Sequence, residues 1–273
     1  MSTAQAERII IQKNTIESAI LNREVKVDFY YPAGTDLRQG ISLLLINDGQ
    51  DLVTMHFEEI LDELYQEQAI EPLLCVGIHC STDRKNEYGT ATVLDYKGRG
   101  ARAALFTRFV FEELLPFIRS SLEVTSFKEK SYAGFSLGGL CALDIVWNHP
   151  AEFRKAGVFS GSLWWRNRDQ DDPDFNEDTD RIMHKMVREG QYAPWLKFFF
   201  EVGTLDETAD RNNNGIIDAI DDTLALMDEL EKKGYDREKD ICFLELTEGK
   251  HDVTTWGKAF PEFLMWGYNA KNV

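Results

Sequence analysis

With 273 residues the chain can bury one large core or two small ones, and the even spread of its apolar segments predicts a single α/β domain over residues 1–273. Thirty Lys and Arg against 47 Asp and Glu leave a net charge of −17, a field that repels phosphate backbones and anionic lipid surfaces and so excludes nucleic acid and membrane as partners. The opening "MSTAQAERIII" has no basic start followed by a long apolar run, and Cys75, Cys80, Cys141 and Cys242 form no Cys-x-x-Cys pair, so a cytoplasmic protein with reduced core thiols is expected.

In chain order, "IIIQ" near residue 9 and "VKVDFYYP" at 25–32 predict strands of a leading antiparallel element that ends in "PAGTD". Six short apolar runs follow: "ISLLLIN" (41–47), "LLCVGIH" (73–79), "KSYAGFS" (130–136), "AGVFSGS" (156–162), "KFFFEVG" (197–203) and "ICFLEL" (241–246). Continuous apolar character of this length suits strands covered on both faces. Helical patterns lie between them, at 53–67, 103–121, 137–148, 180–189, 218–233 and 256–267. The alternation, without repeats or low-complexity linkers, predicts a mostly parallel central sheet with helices on both faces. Ligands of such a sheet bind at the carboxyl ends of its strands.

One strand runs into its helix through "SYAGFSLGGLCAL", with Ser136 between Gly134 and Gly138. In that setting Gly-x-Ser-x-Gly presents a nucleophile on a tight turn, where the glycines relieve crowding and the helix start favours developing negative charge. The bland alternative is a small residue at a crowded corner. A serine hydroxyl needs a base to take its proton, and three histidines follow Ser136. His149 ends the same helix, as a capping or solvent-facing residue; His184 lies in the charged "DRIMHKMVREG" as a surface residue. His251, in "TEGKHDVTTW" between the last strand and the last helix, shares the sheet edge of Ser136.

The acid that orients the imidazole belongs in a loop after an intervening strand. "KFFFEVGTLDE" supplies Asp206, with Glu207 as its rival, while Asp252 is unsuited because adjacent side chains diverge. The order serine, acid, histidine is that of α/β-hydrolases. Oxyanion donors are expected from the N–H of Leu137 and, past the turn in "LLLINDGQDL", the N–H of Gln50, the alternative there being an ordinary Asp-Gly turn.

Taken together, "YYPAG", "LLLINDGQDL", "NEYG", "FEELLPFIRSSL", "YAGFSLGGLCAL", "FSGSLWW", "VGTLDE" and "EGKHDVTTW" span residues 25–266 in order. The chain resembles the Putative esterase family of α/β-hydrolases, which includes enterochelin (siderophore) esterases, feruloyl and acetyl-xylan esterases, esterase D and mycobacterial mycolyltransferases. The resemblance implies an α/β-hydrolase fold, Ser136 as nucleophile, Asp206 as acid, His251 as base, and Gln50 and Leu137 at the oxyanion positions, with no organic cofactor. "SGSLWW" is similar to the Ser-Pro-Ser-x-Trp-Trp segment of the siderophore-esterase branch, with Gly161 in place of proline. Trp164 and Trp165 either wall an acyl or aromatic pocket or pack the core. Arg84 and Tyr88 in "STDRKNEYG" either touch substrate or belong to a solvated loop; a related Arg-x-x-Glu-Tyr pattern occurs in the family.

"DRNNNGIIDAID" departs from a plain hydrolase. With Asp210 as position one, Asn212, Asn214, Ile216 through its carbonyl, Asp218 and Asp221 fall at positions three, five, seven, nine and twelve, the ligand spacing of a calcium loop with Asp in place of the final Glu. The alternative is a metal-free Asn-rich turn capping the next helix. A structural Ca2+ there would stiffen the loop that carries Asp206. The acidic segment at 166–180 is either a lid, whose field would disfavour strongly anionic esters, or a solvated surface loop.

These readings predict a serine esterase for a small-molecule ester, with no oligomeric state implied. An acyltransferase or a carbohydrate deacylase such as a feruloyl esterase would use the same triad, and a non-catalytic calcium-binding interaction domain is the reading from another class.

Overall fold

The computed structural model describes residues 9–270; residues 1–8, on which the reading of the amino terminus rests, lie outside that range. All eight expected strands are present in one sheet: β1 (Ile9–Ser18), β2 (Arg23–Pro32), β3 (Ser42–Asn47), β4 (Leu73–Ile78), β5 (Lys130–Phe135), β6 (Lys155–Phe159), β7 (Lys197–Leu205) and β8 (Ile241–Lys250). Their spatial order is β1-β2-β4-β3-β5-β6-β7-β8. β2 is antiparallel to β1 and β4, and every neighbouring pair from β4 to β8 is parallel.

Alternation along each central strand feeds two cores. Leu43, Leu45, Phe198 and Phe200 face one side, under α3 (Ala103–Phe109), α4 (Leu115–Leu122), α5 (Leu137–Asn148), α7 (Ile182–Glu189) and α8 (Asp218–Lys233). Leu44, Ile46 and Phe199 face the other, under α1 (Phe57–Gln66) and α9 (Val253–Tyr268). The short helices α2 (Arg84–Glu87) and α6 (Glu177–Asp180) lie in the loops beyond β4 and β6. Eleven consecutive residues of α5, Leu137 to Trp147, are buried, which explains why that segment is apolar on all sides. The stretch expected as one helix at 103–121 contains a π turn at Val110–Leu114, just before Pro116, whose missing N–H cannot continue regular α bonding. Among the described residues no helix is long and apolar enough to cross a membrane.

The strand order reverses between β3 and β5, neighbours in the sheet whose following connections leave in opposite directions. That reversal opens a crevice at their carboxyl ends, where Gln50 and Ser136 stand.

Candidate active site

Ser136 joins β5 to α5 with φ 54° and ψ −121°, a conformation that costs a residue with a Cβ of order 1–3 kcal/mol. The turn is closed by its own bonds. The Ser136 N–H donates to the Phe159 carbonyl at 2.8 Å, and the Ser136 carbonyl accepts from the N–H groups of Gly139, Leu140 and Ser162 at 3.1, 3.2 and 3.1 Å. A Cβ on Gly138 would lie 2.5 Å from Asp48 Oδ2, and one on Gly134 would run into the Gly138 carbonyl, so both motif glycines are required by close approach. Leu137 opens α5, and its N–H has no carbonyl one turn back to bond.

Beyond β3 the chain turns through Asp48, at φ 59°, into a short helical turn at Gly49–Asp51. There the Asp51 N–H bonds to the Asp48 carbonyl and the Leu52 N–H to the Gly49 carbonyl, and the Gln50 N–H between them takes no part in the turn. This turn is tied to the one that carries Ser136. Asn47 Nδ2 donates to the Gly138 carbonyl at 2.9 Å, and Arg84 makes a two-pronged bond to Asp48, 2.7 Å on each prong, while also donating to the Phe135 carbonyl at 3.1 Å. The Tyr88 hydroxyl accepts from the Asp48 N–H at 3.3 Å, and Tyr88 has no exposed surface. Arg84 and Tyr88 therefore brace the turn at Asp48; Tyr88, fully buried, is closed to substrate, which corrects its placement as a substrate contact, while the Arg84 side chain keeps 28% of its surface exposed. Arg84→Met strands the Asp48 carboxylate, which is 2% exposed; a loss of about 3 kcal/mol in urea unfolding is expected. With the turn slackened, kcat should fall roughly 10²-fold with KM little changed.

Leu205 pairs with Lys250 across β7 and β8, so the next residues, Asp206 and His251, leave the sheet side by side. His251 Nδ1 lies 3.7 Å from Asp206 Oδ2, within ion-pair range but longer than a hydrogen bond. Asp206 is 1% exposed and His251 42%. Glu207, the rival acid, lines the same cavity as Asp206 and His251, and burial pushes its carboxyl above its ordinary value. Asp252 caps α9, accepting the Thr255 N–H at 2.8 Å. Trp256 stands edge-on to His251 with ring centres 5.4 Å apart, stacks on Phe135 at 5.1 Å and donates its Nε1–H to Ser160 Oγ at 2.8 Å, so one indole spans from the nucleophile strand to the imidazole.

Ser162 Oγ lies 3.5 Å from Ser136 Oγ. Beside this segment a cavity of about 230 Å³ is lined by Ser160, Gly161, Trp164, Asp206, Glu207, Ala219 and His251. Trp164 thus reaches the cavity. Trp165 is fully buried in the core, which corrects its placement as a pocket wall. His184 is also corrected: it is buried in α7 with Nε2 2.8 Å from the Asp222 carbonyl, and burial depresses its imidazole to about 3. Sequence reasoning passed over Asp48, Ser160, Ser162 and Trp256. The tie from β3 to α5 is signalled only by the polar pair Asn47-Asp48 ending an otherwise apolar run.

The 210–221 loop folds on its own polar groups. Asp210 accepts the N–H groups of Asn214 and Gly215 at 3.1 and 2.9 Å, Asn214 Oδ1 accepts the Ile216 N–H at 2.7 Å, and the amides of Asn212 and Asn214 converge on Asp221 Oδ2 at 2.7 and 2.8 Å. Asp218 turns instead to Arg211, accepting its backbone N–H at 2.8 Å. Among the described residues no group of three or more His, Cys, Asp or Glu side chains is gathered to hold a metal; the oxygens here are shared between carboxylates and amides. Arg211 also bonds Glu177 in the acidic segment at 2.6 and 3.0 Å. That segment contributes no residue to the lining of the cavity beside His251.

The profile of the Putative esterase family matches residues 18–266, which include every residue of this site. The chain is 26% identical over 133 residues to the uncharacterized protein YbbA of Bacillus subtilis (strain 168), a match over 47% of this chain and 52% of YbbA, about half the length of that relative. Among solved structures, the enterobactin esterase FES from Shigella flexneri in the presence of enterobactin superposes with a TM-score of 0.73 at 22% identity, over 96% of this chain and 59% of that one. A ferulic acid esterase gives 0.69 at 17% identity over 95% and 98% of the two chains, and the siderophore hydrolase EstB from Aspergillus nidulans 0.67 at 18% over 93% and 95%. These identities establish a shared α/β-hydrolase fold. With the family profile running through nearly the whole sheet, the chain belongs to the Putative esterase family.

Proposed function

We propose that the protein is a serine carboxylic-ester hydrolase. The observation that carries this reading is Ser136 held at φ 54° on the strand-to-helix turn, at the same sheet edge as the Asp206–His251 pair. His251, oriented by Asp206, takes the Ser136 proton as Oγ attacks the ester carbonyl. The N–H groups of Gln50 and Leu137 hold the oxyanion, His251 protonates the leaving alcohol, and water activated by the same imidazole releases the acid. No organic cofactor enters these steps.

The cavity of about 230 Å³, with Trp164 in its wall, suits a small acyl or single-ring aromatic group. An ester of ferulic acid, the single-ring aromatic acid for which one structural relative is named, fits that description. Asp206 and Glu207 in the same wall, within a chain of net charge −17, disfavour anionic esters. Matched p-nitrophenyl esters with neutral and carboxylated acyl groups test this. Faster turnover of the neutral, short or aromatic members is expected; no turnover of any member, or preference for the anionic ones, would count against the reading.

We also infer that Asp210, Asn212, Asn214, the Ile216 carbonyl and Asp221 hold a structural Ca2+, with Asp218 at its usual outer position. The donors offered are all hard oxygens, and the side chains of Asn212, Asn214 and Asp221 already converge within one loop. When bound, the ion supplies charge and rigidity to the segment following Asp206, and no proton or acyl transfer. Calcium at 100 times its Kd should raise the unfolding free energy by about 2.7 kcal/mol, with a higher Tm that chelator reverses and Asp210→Ala abolishes. A Tm indifferent to calcium, with no heat of binding in calorimetry, would remove the ion from the account.

A further inference from the structure

Glu201 lies in the middle of an otherwise apolar strand, "KFFFEVG", and is 1% exposed. Neither of its carboxyl oxygens has a hydrogen-bond partner, and the same is true of both oxygens of Asp206. The two carboxyls are neighbours by construction. Glu201 and Gly203 point to the same face of β7, and Asp206 folds back over Gly203 so closely that a Cβ there would lie 2.8 Å from Asp206 Oδ1. Glycine at 203 leaves open the space between the two acids.

The groups facing Glu201 supply no cation to balance it. Asp206 faces it from the end of β7 and pushes its proton affinity up, adding to the larger effect of burial. Just past β6, Ser160 Oγ accepts the Trp256 Nε1–H at 2.8 Å and has its own O–H left to turn toward Glu201, but no hydrogen bond of ordinary length reaches the carboxyl. His251, 3.7 Å from Asp206 Oδ2, is the group that would become positive along the proposed reaction. Two buried carboxyls side by side cannot both ionise, and Asp206 must be the anion if it is to stabilise an imidazolium.

We propose that Glu201 is a positioning residue for the triad: as a neutral carboxylic acid it donates a hydrogen bond to the Asp206 carboxylate and holds that carboxylate toward His251. This rests on the reading of Asp206 as the triad acid. One O–H between the two groups gives a partner to one oxygen of each otherwise unpartnered buried acid, which is why a chargeable residue is tolerated in the strand. It also accounts for the long Asp206–His251 separation, because Asp206 has two claims on its oxygens rather than one.

Burial and Asp206 raise the Glu201 carboxyl from 4.5 to about 8. A carboxyl whose folded value is raised contributes stability fully below 4.5 and loses it as pH climbs through about 8. Ionisation would also set two anions against each other and release Asp206 from its donor.

The test compares pH profiles of kcat and of Tm in the full chain for wild type, Glu201→Gln, Glu201→Leu and Asp206→Asn. Glutamine keeps a donor that never ionises. It should hold neutral-pH kcat within about threefold, abolish the fall in kcat above pH 8 and flatten the loss of Tm between 4.5 and 8. Leucine should lower kcat roughly 10- to 100-fold at little-changed KM. A Gln variant with the wild-type alkaline limb, or a folded Leu variant with wild-type kcat, overturns the proposal; should the Leu variant not fold, the Gln profile alone decides. Asp206→Asn separates the two levels: full turnover there removes the triad reading itself, whereas turnover lost in Asp206→Asn and kept in Glu201→Leu removes only the role of Glu201.

Discussion

Ser136→Ala is expected to lower ester kcat/KM by at least about 10³-fold and to leave Tm within about 2 °C of wild type. Both halves follow from the turn. In the proposed mechanism the hydroxyl is the atom that forms the acyl bond, and Ser162, its neighbour at 3.5 Å, lies on a different segment. The fold hardly registers the change, because the turn is closed by the Ser136 backbone N–H and carbonyl, which alanine keeps, and the positive φ costs either side chain alike. Steady-state kinetics with a thermal melt read the two halves separately. A variant that is both inactive and unfolded would make Ser136 a structural residue; one that keeps turnover would remove it from the mechanism.

Asp206→Asn should cost about 10³- to 10⁴-fold in kcat. The amide removes the charge that stabilises an imidazolium and can present an N–H to Nδ1, which fixes the wrong tautomer for a base facing Ser136. Glu207→Gln provides the contrast. Among the described residues the carboxylate paired with His251 is that of Asp206, at 3.7 Å, so kcat within about threefold of wild type is expected for the Glu207 variant. Reversal of the two results, with Gln at 207 silent in Tm and crippling in kcat, would transfer the acid role to Glu207.

Much of this was legible in the residues because it rests on local rules. Apolar runs of six or seven residues located β3 to β8, "IIIQ" and "VKVDFYYP" located the leading pair, and the Gly-x-Ser-x-Gly turn needs nothing beyond its own strand and helix. Chain order then picked His251 and Asp206 by their positions after β8 and β7. What stayed hidden depends on distant parts of the chain. Arg84 reads as a loop cation until the sheet order sets β4 next to β3 and delivers its guanidinium to Asp48. Tyr88, by its place in the loop after β4, and Trp165, as one of two aromatics after β6, look like binding groups in the sequence, yet both fill the core, where size decides. His184 shows the opposite error: charged neighbours suggested a surface, but the buried side of α7 against α8 receives it. β8 outran its apolar signal because "TEGK" extends the strand by backbone pairing to β7, and that extension places His251 beside Asp206.

Stopped-flow release of p-nitrophenolate from p-nitrophenyl acetate, followed by intact-mass and peptide analysis of the quenched protein, tests the central claim most directly. The account predicts a burst approaching one equivalent per site, an acetyl mass on the peptide containing Ser136, and loss of both in Ser136→Ala. Turnover without a burst, with no acyl mass on that peptide and no dependence on Ser136, would contradict it.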